Sequence, residues 1–231
     1  MQYDAHVDPK KEIYWTHVSA DACRFAMIWK YGGIYMDTDV ISLRPIPEDH
    51  FLATEGFTAT SSGVFGLSSH YQLAWQFMEN LVENYRGEIL GHQGPGVFTR
   101  IVRKLCGWPV FNSTDDVMGS NISYFHPQRF YPILYYEVWQ NLPTLNNSYA
   151  LNLWNYMNNK GISMVPGSNT LVEHIYQKYC PTTYEYRIYS REEEQQFSGL
   201  RFPPIIEQDL SYTLRYMDSL GGTLPELLHV L

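Results

Sequence analysis

The sequence is poor in cysteine and contains no long apolar run. Its three cysteines, Cys23, Cys106 and Cys180, are too few for a disulfide framework, although one bridge between Cys106 and Cys180 is compatible with the count. No stretch of about 18 apolar residues occurs, so the sequence predicts no transmembrane segment. Residues 1–12 are polar and charged, which argues against a signal peptide.

Basic residues are also scarce, and this scarcity excludes one class of partner. Lys and Arg total 16 against 24 Asp and Glu, which gives a net charge of −8. An acidic chain without a basic stripe repels the phosphates of nucleic acids, so we expect no nucleic-acid partner. A nucleotide diphosphate would need local help from a metal ion or a single Arg.

The remaining composition is that of a folded domain. The 231 residues are 45% apolar and 17% charged, and the chain is long enough to bury a sizeable core. Three Asn-x-Ser/Thr sequons, at Asn112, Asn121 and Asn146, favour a lumenal or secreted location.

Helices and strands alternate in the predicted pattern. Ser19 is a good N-cap for a helix over 20–31, whose apolar residues recur every three or four positions. Further helices are predicted over 71–85, 95–106 and 168–179, and strands over 34–36, 40–43, 63–67, 123–125 and 149–154. This alternation indicates an α/β fold, in which ligands bind beyond the carboxyl ends of strands. Asp37 and Asp39 follow the strand 34–36 and would lie at such an end.

Asp37 and Asp39 flank one Thr in an otherwise apolar segment. Adjacent carboxylates raise each other's pKa, and a bound divalent cation removes that cost. Mn²⁺ and Mg²⁺ favour carboxylate oxygens, and such an ion can neutralise a departing diphosphate. Taken alone, an Asp-x-Asp pair is more often two exposed carboxylates in a turn.

Three neighbouring residues strengthen the case for a site. Asp21 and Arg24 are spaced i,i+3 on the predicted helix and therefore point the same way. They can hold a donor sugar, with Asp21 accepting its hydroxyls, or they can form a simple salt bridge. Tyr35 lies two residues before Asp37, on the same side of a strand, where it can cover a sugar ring or pack in the core.

These residues belong to a pattern that extends along most of the chain. Its segments are SADACR at 19–24, KYGGIYMDTD at 30–39, GHQGP at 91–95, HPQRFYP at 126–132, LWN at 153–155, GSNTLVE at 167–173 and CP at 180–181. Their order and spacing resemble those of the α-1,4-glycosyltransferase family. The run ISLRPIP at 41–47 and the segment at 167–173 are more similar to its N-acetylglucosaminyl-transferring members than to its galactosyl-transferring ones.

The resemblance implies a GT-A-like nucleotide-sugar-binding fold, Mn²⁺ or Mg²⁺, and a UDP-sugar donor whose sugar is transferred with retention at the anomeric carbon. It implies transfer of GlcNAc from UDP-GlcNAc in α-1,4 linkage to a galactose-terminated glycoprotein glycan. The alternative is transfer of galactose from UDP-Gal to a glycolipid. It assigns Asp21, Asp37 and Asp39 to catalysis; Asp21, Arg24, Tyr35, Asp37, Gln93 and Gly94 to the donor; and Asp37, Asp39 and Asn152 to the metal.

Beyond residue 186 the pattern degrades into a charged run and a Pro-Pro pair, which predicts a loosely ordered tail over 186–231. The resemblance divides the rest of the chain into a donor-sugar-binding region over 1–50 and a C-terminal α-1,4-glycosyltransferase region over 51–185. It implies a type II membrane protein of the Golgi lumen. The family carries an anchor and a first nucleotide-binding strand ahead of this region, so we expect the chain to be truncated at its N-terminal side. Two positions depart from the family pattern, because Asn152 stands where the family has His and Ser62 where it has Asn.

Two other interpretations stay open. An apolar strand followed by Asp-x-Asp-Val also resembles the haloacid-dehalogenase-like phosphotransferases. In that case Asp37 would be a nucleophile, Asp39 an acid/base and Asp115–Asp116 a late acidic pair. Alternatively, the two departures and the expected truncation are compatible with a lumenal remnant that binds a sugar nucleotide without transferring the sugar.

Overall fold

The computed structural model describes residues 11–107, 109–133, 145–157 and 164–186. Most of the predicted tail over 186–231 therefore lies outside the described residues, as do residues 1–10. The helices are α1 (Trp15–Tyr31), α2 (Gln72–Glu83), α3 (Pro95–Cys106) and α4 (Leu171–Tyr179). The strands are β1 (Gly33–Met36), β2 (Val40–Ser42), β3 (Phe51–Thr54), β4 (Thr60–Leu67), β5 (Val117–Gly119), β6 (Ile122–Phe125) and β7 (Ala150–Asn152).

The strands form one large and one small sheet. The five-stranded sheet has the order β1-β4-β3-β6-β5, and the small sheet pairs β2 with β7. Among the described strands, β3 and β6 run parallel, and the other neighbours are antiparallel. The predicted α/β class is therefore confirmed as a mixed α/β fold. The turn from Asp37 to Val40 carries the chain from β1 in the large sheet to β2 in the small one.

The central strands β3, β4 and β6 are buried throughout, and their successive residues point to opposite faces of the large sheet. On one face, the rings of Phe25, Phe65, Phe77 and Phe98 pack together beneath α1, α2 and α3. The other face packs around Phe51, Phe125 and Phe130, where the chain passes towards the small sheet. In β3, side chains alternate between these two cores, which fixes its register.

Helix α1 begins five residues earlier than predicted. Ser19 is not its N-cap but lies inside it, where its hydroxyl donates to the carbonyl of Trp15. The prediction was wrong because Ser is also tolerated within a helix when its hydroxyl bonds back one turn. The predicted helix from Pro95 to Cys106 is confirmed, with Pro95 in the first turn as expected.

Two strands were missed by the prediction. Strand β3 is only four residues long and follows a segment that contains two prolines, so its apolar run gave a weak signal. Strand β5 has three residues within a stretch that was predicted to be a loop. Both belong to the large sheet, where β3 pairs with β4 and β6 and β5 pairs with β6, and a local pattern does not reveal such pairing.

Within the described ranges, no helix is both long and apolar enough to cross a membrane. Cys23 and Cys180 are free thiols, so the bridge to Cys180 that the cysteine count allowed is not formed. The three sequon asparagines, Asn112, Asn121 and Asn146, are all exposed.

Candidate active site

Helix α1 presents two charged side chains towards the carboxyl end of β1. Asp21 and Arg24 are buried to 6% and 8% exposure, although both are charged residue types that usually remain on the surface. The Nε of Arg24 lies 3.4 Å from Asp21 Oδ1, which confirms the i,i+3 pairing that the sequence predicts. The Nη1 of Arg24 donates to the Ser62 carbonyl at 2.8 Å and thus ties α1 to β4.

Arg24 also reaches Asp37. Its Nη1 lies 3.2 Å from Asp37 Oδ1, and the Tyr35 hydroxyl donates to the same oxygen at 2.7 Å. Tyr35 and Asp37 therefore share a side of the strand, as predicted. The Tyr35 ring lies under the Arg24 guanidinium, 4.7 Å from its centroid, and packs against Phe65. These contacts hold Asp37 and Arg24 in place rather than leave the ring free to cover a sugar.

Two glycines make room for the carboxylates. A Cβ atom on Gly63 would lie 2.6 Å from Asp37 Oδ2, and one on Gly94 would lie 2.5 Å from Asp21 Oδ1. Because real side chains do not approach so closely, the absence of a side chain at both positions allows the carboxylates to sit against the backbone. Gly94, one of the predicted donor residues, thus contacts Asp21 from the loop that starts α3.

Gln93 lies beside Gly94 but is turned away from Asp21. Its Nε2 donates to the Leu81 carbonyl at 2.6 Å, and its Oε1 accepts from the backbone N–H of Arg86. The side chain is 1% exposed. Both ends of the amide are therefore engaged by the backbone, and the residue fixes the loop before Gly94.

Asp39 is held from the small sheet. The N–H of Leu153 donates to the Asp39 carbonyl, and the N–H of Asn155 donates to Asp39 Oδ2 at 2.9 Å. Between them, Trp154 adopts a left-handed backbone with φ of 53°, which is unusual for an aromatic residue. The side-chain oxygen of Asn152 accepts from the Trp154 N–H at 2.6 Å and stabilises this turn. Such strain is often found at functional sites.

These elements surround one open cavity of about 400 Å³. Of the predicted site residues, Asp21, Arg24, Asp37, Asp39 and Asn152 line it, whereas Tyr35, Gln93 and Gly94 stand behind it. The structure adds residues for which no role at the site was predicted, including His17, Glu55, Ser61, Tyr131, Trp154 and Tyr156; of these, Tyr131 and Trp154 belong to the motifs quoted above. The strands and turns that bring Glu55 and Tyr131 to the cavity are distant in sequence, so no spacing rule could have found them.

The side chains that line the cavity carry more negative than positive charge. Burial raises the pKa of Asp21 to about 6, with the Arg24 charge opposing the shift, and burial also raises the pKa of Asp37. Burial lowers the pKa of His17, which leaves that side chain neutral at pH 7. Arg24 is then the only full positive charge among the described cavity residues, opposite four carboxyl groups. A diphosphate would be repelled unless a cation accompanied it.

The carboxylates of the triplet fit a divalent ion. No described residue donates to Asp37 Oδ2 or to Asp39 Oδ1, so each side chain keeps one oxygen available to a ligand. No group of three His, Cys, Asp or Glu residues converges in the described ranges. Mg²⁺ and similar ions commonly take one or two carboxylates and complete their shell with water and substrate phosphates, which matches this pair. Asn152 lines the same cavity, and its side-chain oxygen accepts one hydrogen bond, from the Trp154 N–H.

Family comparisons identify this arrangement. Residues 2–58 match the family model for the glycosyltransferase sugar-binding region that contains the DXD motif, which includes Asp37 and Asp39. Residues 66–187 match the model for the alpha 1,4-glycosyltransferase conserved region. The chain belongs to the α-1,4-glycosyltransferase family. The family resemblance that the sequence motifs suggested is therefore confirmed, and the DXD carboxylates line the cavity described above.

Individual relatives within the family are similar over most of this chain. Human alpha-1,4-N-acetylglucosaminyltransferase is 52% identical over 184 residues, which cover 77% of this chain and 54% of the relative. Human lactosylceramide 4-alpha-galactosyltransferase is 30% identical over 192 residues, which cover 78% of this chain and 53% of the relative. The orangutan lactosylceramide 4-alpha-galactosyltransferase is 30% identical over 190 residues, which cover 78% of this chain and 85% of the relative. The chain thus spans about half the length of the two human relatives. No solved structure matches it.

The second acidic pair that a phosphotransferase would need, Asp115–Asp116, lies away from Asp37. Neither Asp115 nor Asp116 lines the cavity that holds Asp37. Asp116 instead accepts from the Arg129 guanidinium at 3.0 Å and from the His126 N–H, so it anchors a surface loop. Asp115 accepts from the Ser113 hydroxyl. These contacts and the family membership leave the phosphotransferase reaction without support.

Proposed function

We propose that the chain is a metal-dependent, retaining glycosyltransferase domain of GT-A type, which moves GlcNAc from UDP-GlcNAc in α-1,4 linkage onto a galactose-terminated glycan. The observation that carries this proposal is the meeting of Asp21, Arg24, Asp37 and Asp39 at one cavity. They come from two elements of one DXD-containing region, α1 and the turn that follows β1.

The donor sugar would bind between α1 and the DXD turn. Asp21 offers a buried carboxylate that can accept sugar hydroxyls, and it is held by Ser62 and Arg24. The Nη2 of Arg24 has no partner among the described residues and can donate to the donor. Because these groups are already fixed by protein contacts, little reorganisation is needed when the donor binds.

Asp37 and Asp39 would hold Mn²⁺ or Mg²⁺ through their available oxygens. The ion would supply neutralisation of the diphosphate in a cavity that otherwise carries excess negative charge. The protein's own part is to keep both carboxylates in position, through Tyr35 and Arg24 for Asp37 and through the Asn155 N–H for Asp39. Asn152 would act indirectly, since its oxygen shapes the backbone beside Asp39.

The preference for GlcNAc is supported by the relatives. Identity to the N-acetylglucosaminyltransferase is 52%, against 30% for the human galactosyltransferase over a similar length. Galactose transfer to a glycolipid is the alternative within the same family. We place the chain in the Golgi lumen as part of a type II membrane protein, an assignment that the three exposed sequons support.

Transfer from UDP-GlcNAc to a galactose-terminated acceptor, measured by mass spectrometry with and without Mn²⁺, tests the proposal. Chelation with EDTA should abolish product formation. Asp39→Asn keeps an oxygen for the Asn155 N–H but removes the charge, and we expect it to lower kcat/KM at least a hundredfold. Asp49→Asn, an exposed residue away from the cavity, serves as the matched control. Transfer from UDP-Gal alone would overturn the donor assignment.

A non-catalytic sugar-nucleotide-binding remnant is the second candidate. It is favoured by Asn152, a neutral side chain at a position where the family has His, whose oxygen already accepts from the Trp154 N–H. Such a remnant would bind UDP-GlcNAc with Mn²⁺ in a calorimeter and yet produce neither transfer nor hydrolysis. Turnover by the chain that is lost in Asp39→Asn excludes it.

A further inference from the structure

Glu55 is the one acidic side chain of the cavity that no described protein group neutralises. The other three carboxylates, those of Asp21, Asp37 and Asp39, each accept at least one hydrogen bond from a described neighbour. For Glu55 the described residues supply neither a hydrogen-bond donor nor an ion pair, and burial raises its pKa. A half-buried carboxylate without donors costs free energy, so its presence at a cavity wall points to a donor that arrives with a ligand.

The position of Glu55 is fixed by its backbone. Its N–H donates to the Ala59 carbonyl and closes the turn between β3 and β4. An irregularity in the β3–β4 pairing between Leu52 and Thr54 immediately precedes it. The Thr54 hydroxyl donates to the Phe125 carbonyl at 2.6 Å and anchors this irregular point. Bulges of this kind commonly re-aim side chains beside active sites, and here the side chain that follows lines the cavity.

Glu55 is not placed to share the ion of the DXD pair. Together with Asp37 and Asp39 it would make three acidic ligands, and no such group of three converges among the described residues. Tyr131 has a hydroxyl bonded to Ser61, and that hydroxyl is close enough to Glu55, Asp37 and Asp39 for all three charges to act on it. Glu55 therefore lies in the wall of the same cavity without joining the proposed metal ligands.

We propose that Glu55 binds the acceptor sugar by accepting hydrogen bonds from its ring hydroxyls. This inference rests on the proposed transferase function, of which it defines the acceptor side. Trp154 lines the same cavity and contacts Tyr131 edge-on at 5.4 Å, so an aromatic wall accompanies the carboxylate. A carboxylate for hydroxyls beside an aromatic ring for the apolar ring face is a combination that suits a neutral pyranose such as a terminal galactose.

Steady-state kinetics of the full chain test this assignment, with UDP-GlcNAc and Mn²⁺ as donor system and N-acetyllactosamine as acceptor. Glu55→Gln should raise the acceptor KM at least tenfold and leave the donor KM within twofold. Hydrolysis of UDP-GlcNAc by water, which needs no acceptor, should be unchanged. Glu55→Asp keeps the charge on a shorter side chain, so its acceptor KM should lie between those of the wild-type chain and Glu55→Gln. Glu48→Gln, at an exposed site away from the cavity, is the matched control.

A second readout does not depend on turnover. Saturation-transfer NMR of N-acetyllactosamine in the presence of UDP and Mn²⁺ should show contact with the wild-type chain and a marked loss of contact with Glu55→Gln. An unchanged acceptor KM and an unchanged NMR signal would refute the assignment and leave the transferase function standing. A parallel rise in donor KM with loss of hydrolysis would also refute it, because Glu55 would then belong to the donor site. If the wild-type chain neither transfers nor hydrolyses, both proposals fail together.

Discussion

The backbone of Gly94 rests against the carboxylate of Asp21, so closely that a Cβ atom there would come within 2.5 Å of Oδ1 and 2.6 Å of Oδ2. Asp21 cannot move aside freely, because Ser62 and Arg24 hold it on its other sides. The loop before α3 and the helix α1 are thus fitted to each other at the proposed donor site.

Gly94→Ala should therefore displace the Asp21 carboxylate. We expect a destabilisation of about 1–3 kcal/mol from the overlap and a rise in the donor KM of at least tenfold. Thermal unfolding and donor kinetics measure the two effects. Gly56→Ala is the control, since its Cβ would meet nothing within 4 Å. Equal donor KM values for Gly94→Ala and Gly56→Ala would contradict the fit.

Asp21 should make stability depend on pH. Burial raises its pKa to about 6 from an ordinary value of 3.8, so between these values the folded chain binds the proton more tightly than the unfolded chain. Stability should consequently fall as pH rises from 4 to 6. Asp21→Asn removes this penalty and should stabilise the chain at pH 7.5 by up to about 3 kcal/mol, with no gain near pH 4. Denaturation curves across pH 4–8 check the prediction; a gain that is independent of pH would disprove it.

Tyr35→Phe should weaken the metal site without emptying the core. The ring would keep its contacts with Arg24 and Phe65, but Asp37 would lose a hydrogen bond of 2.7 Å. A lost hydrogen bond to a charged group is worth about 1.5–3 kcal/mol. We therefore expect the Mn²⁺ concentration for half-maximal activity to rise at least about tenfold. Tyr31→Phe, at the exposed end of α1, should leave that concentration unchanged.

Glu173→Gln should lower stability and leave the site intact. Glu173 is 3% exposed and accepts from the N–H groups of Gly167 and Asn169 and from the Tyr184 hydroxyl, so it holds the loop that caps α4. Replacing a charged acceptor by an amide should cost about 1–2 kcal/mol. No residue of that loop lines the cavity, so the donor KM should not change. A donor KM that rises together with the loss of stability would argue for a direct link between α4 and the site.

Sequence patterns predicted the parts of the site that are local in the chain. The i,i+3 spacing placed Asp21 beside Arg24, and strand alternation placed Tyr35 beside Asp37, because both rules act within one element. The partners that lie far apart in sequence were beyond such rules. Glu55 follows the irregular end of β3, a strand that the sequence pattern did not predict. Gln93 and Asn152 hydrogen-bond to backbone groups. These bonds depend on the three-dimensional positions of the backbone groups, which residue spacing alone does not give.

The two DXD carboxylates are attached to different sheets. The N–H of Asp37 donates to the Gly63 carbonyl in the large sheet, whereas Asp39 accepts hydrogen bonds from the N–H groups of Leu153 and Asn155, which follow β7. Fraying of the three-residue pairing between β2 and β7 would release Asp39 while Asp37 stayed in register. We expect the amides of Leu153 and Asn155 to exchange hydrogen faster than those of β4 and to slow when Mn²⁺ and UDP are added. Binding of the ion and the nucleotide would then be coupled to local folding of the β2–β7 pair, which brings Asp39 next to Asp37.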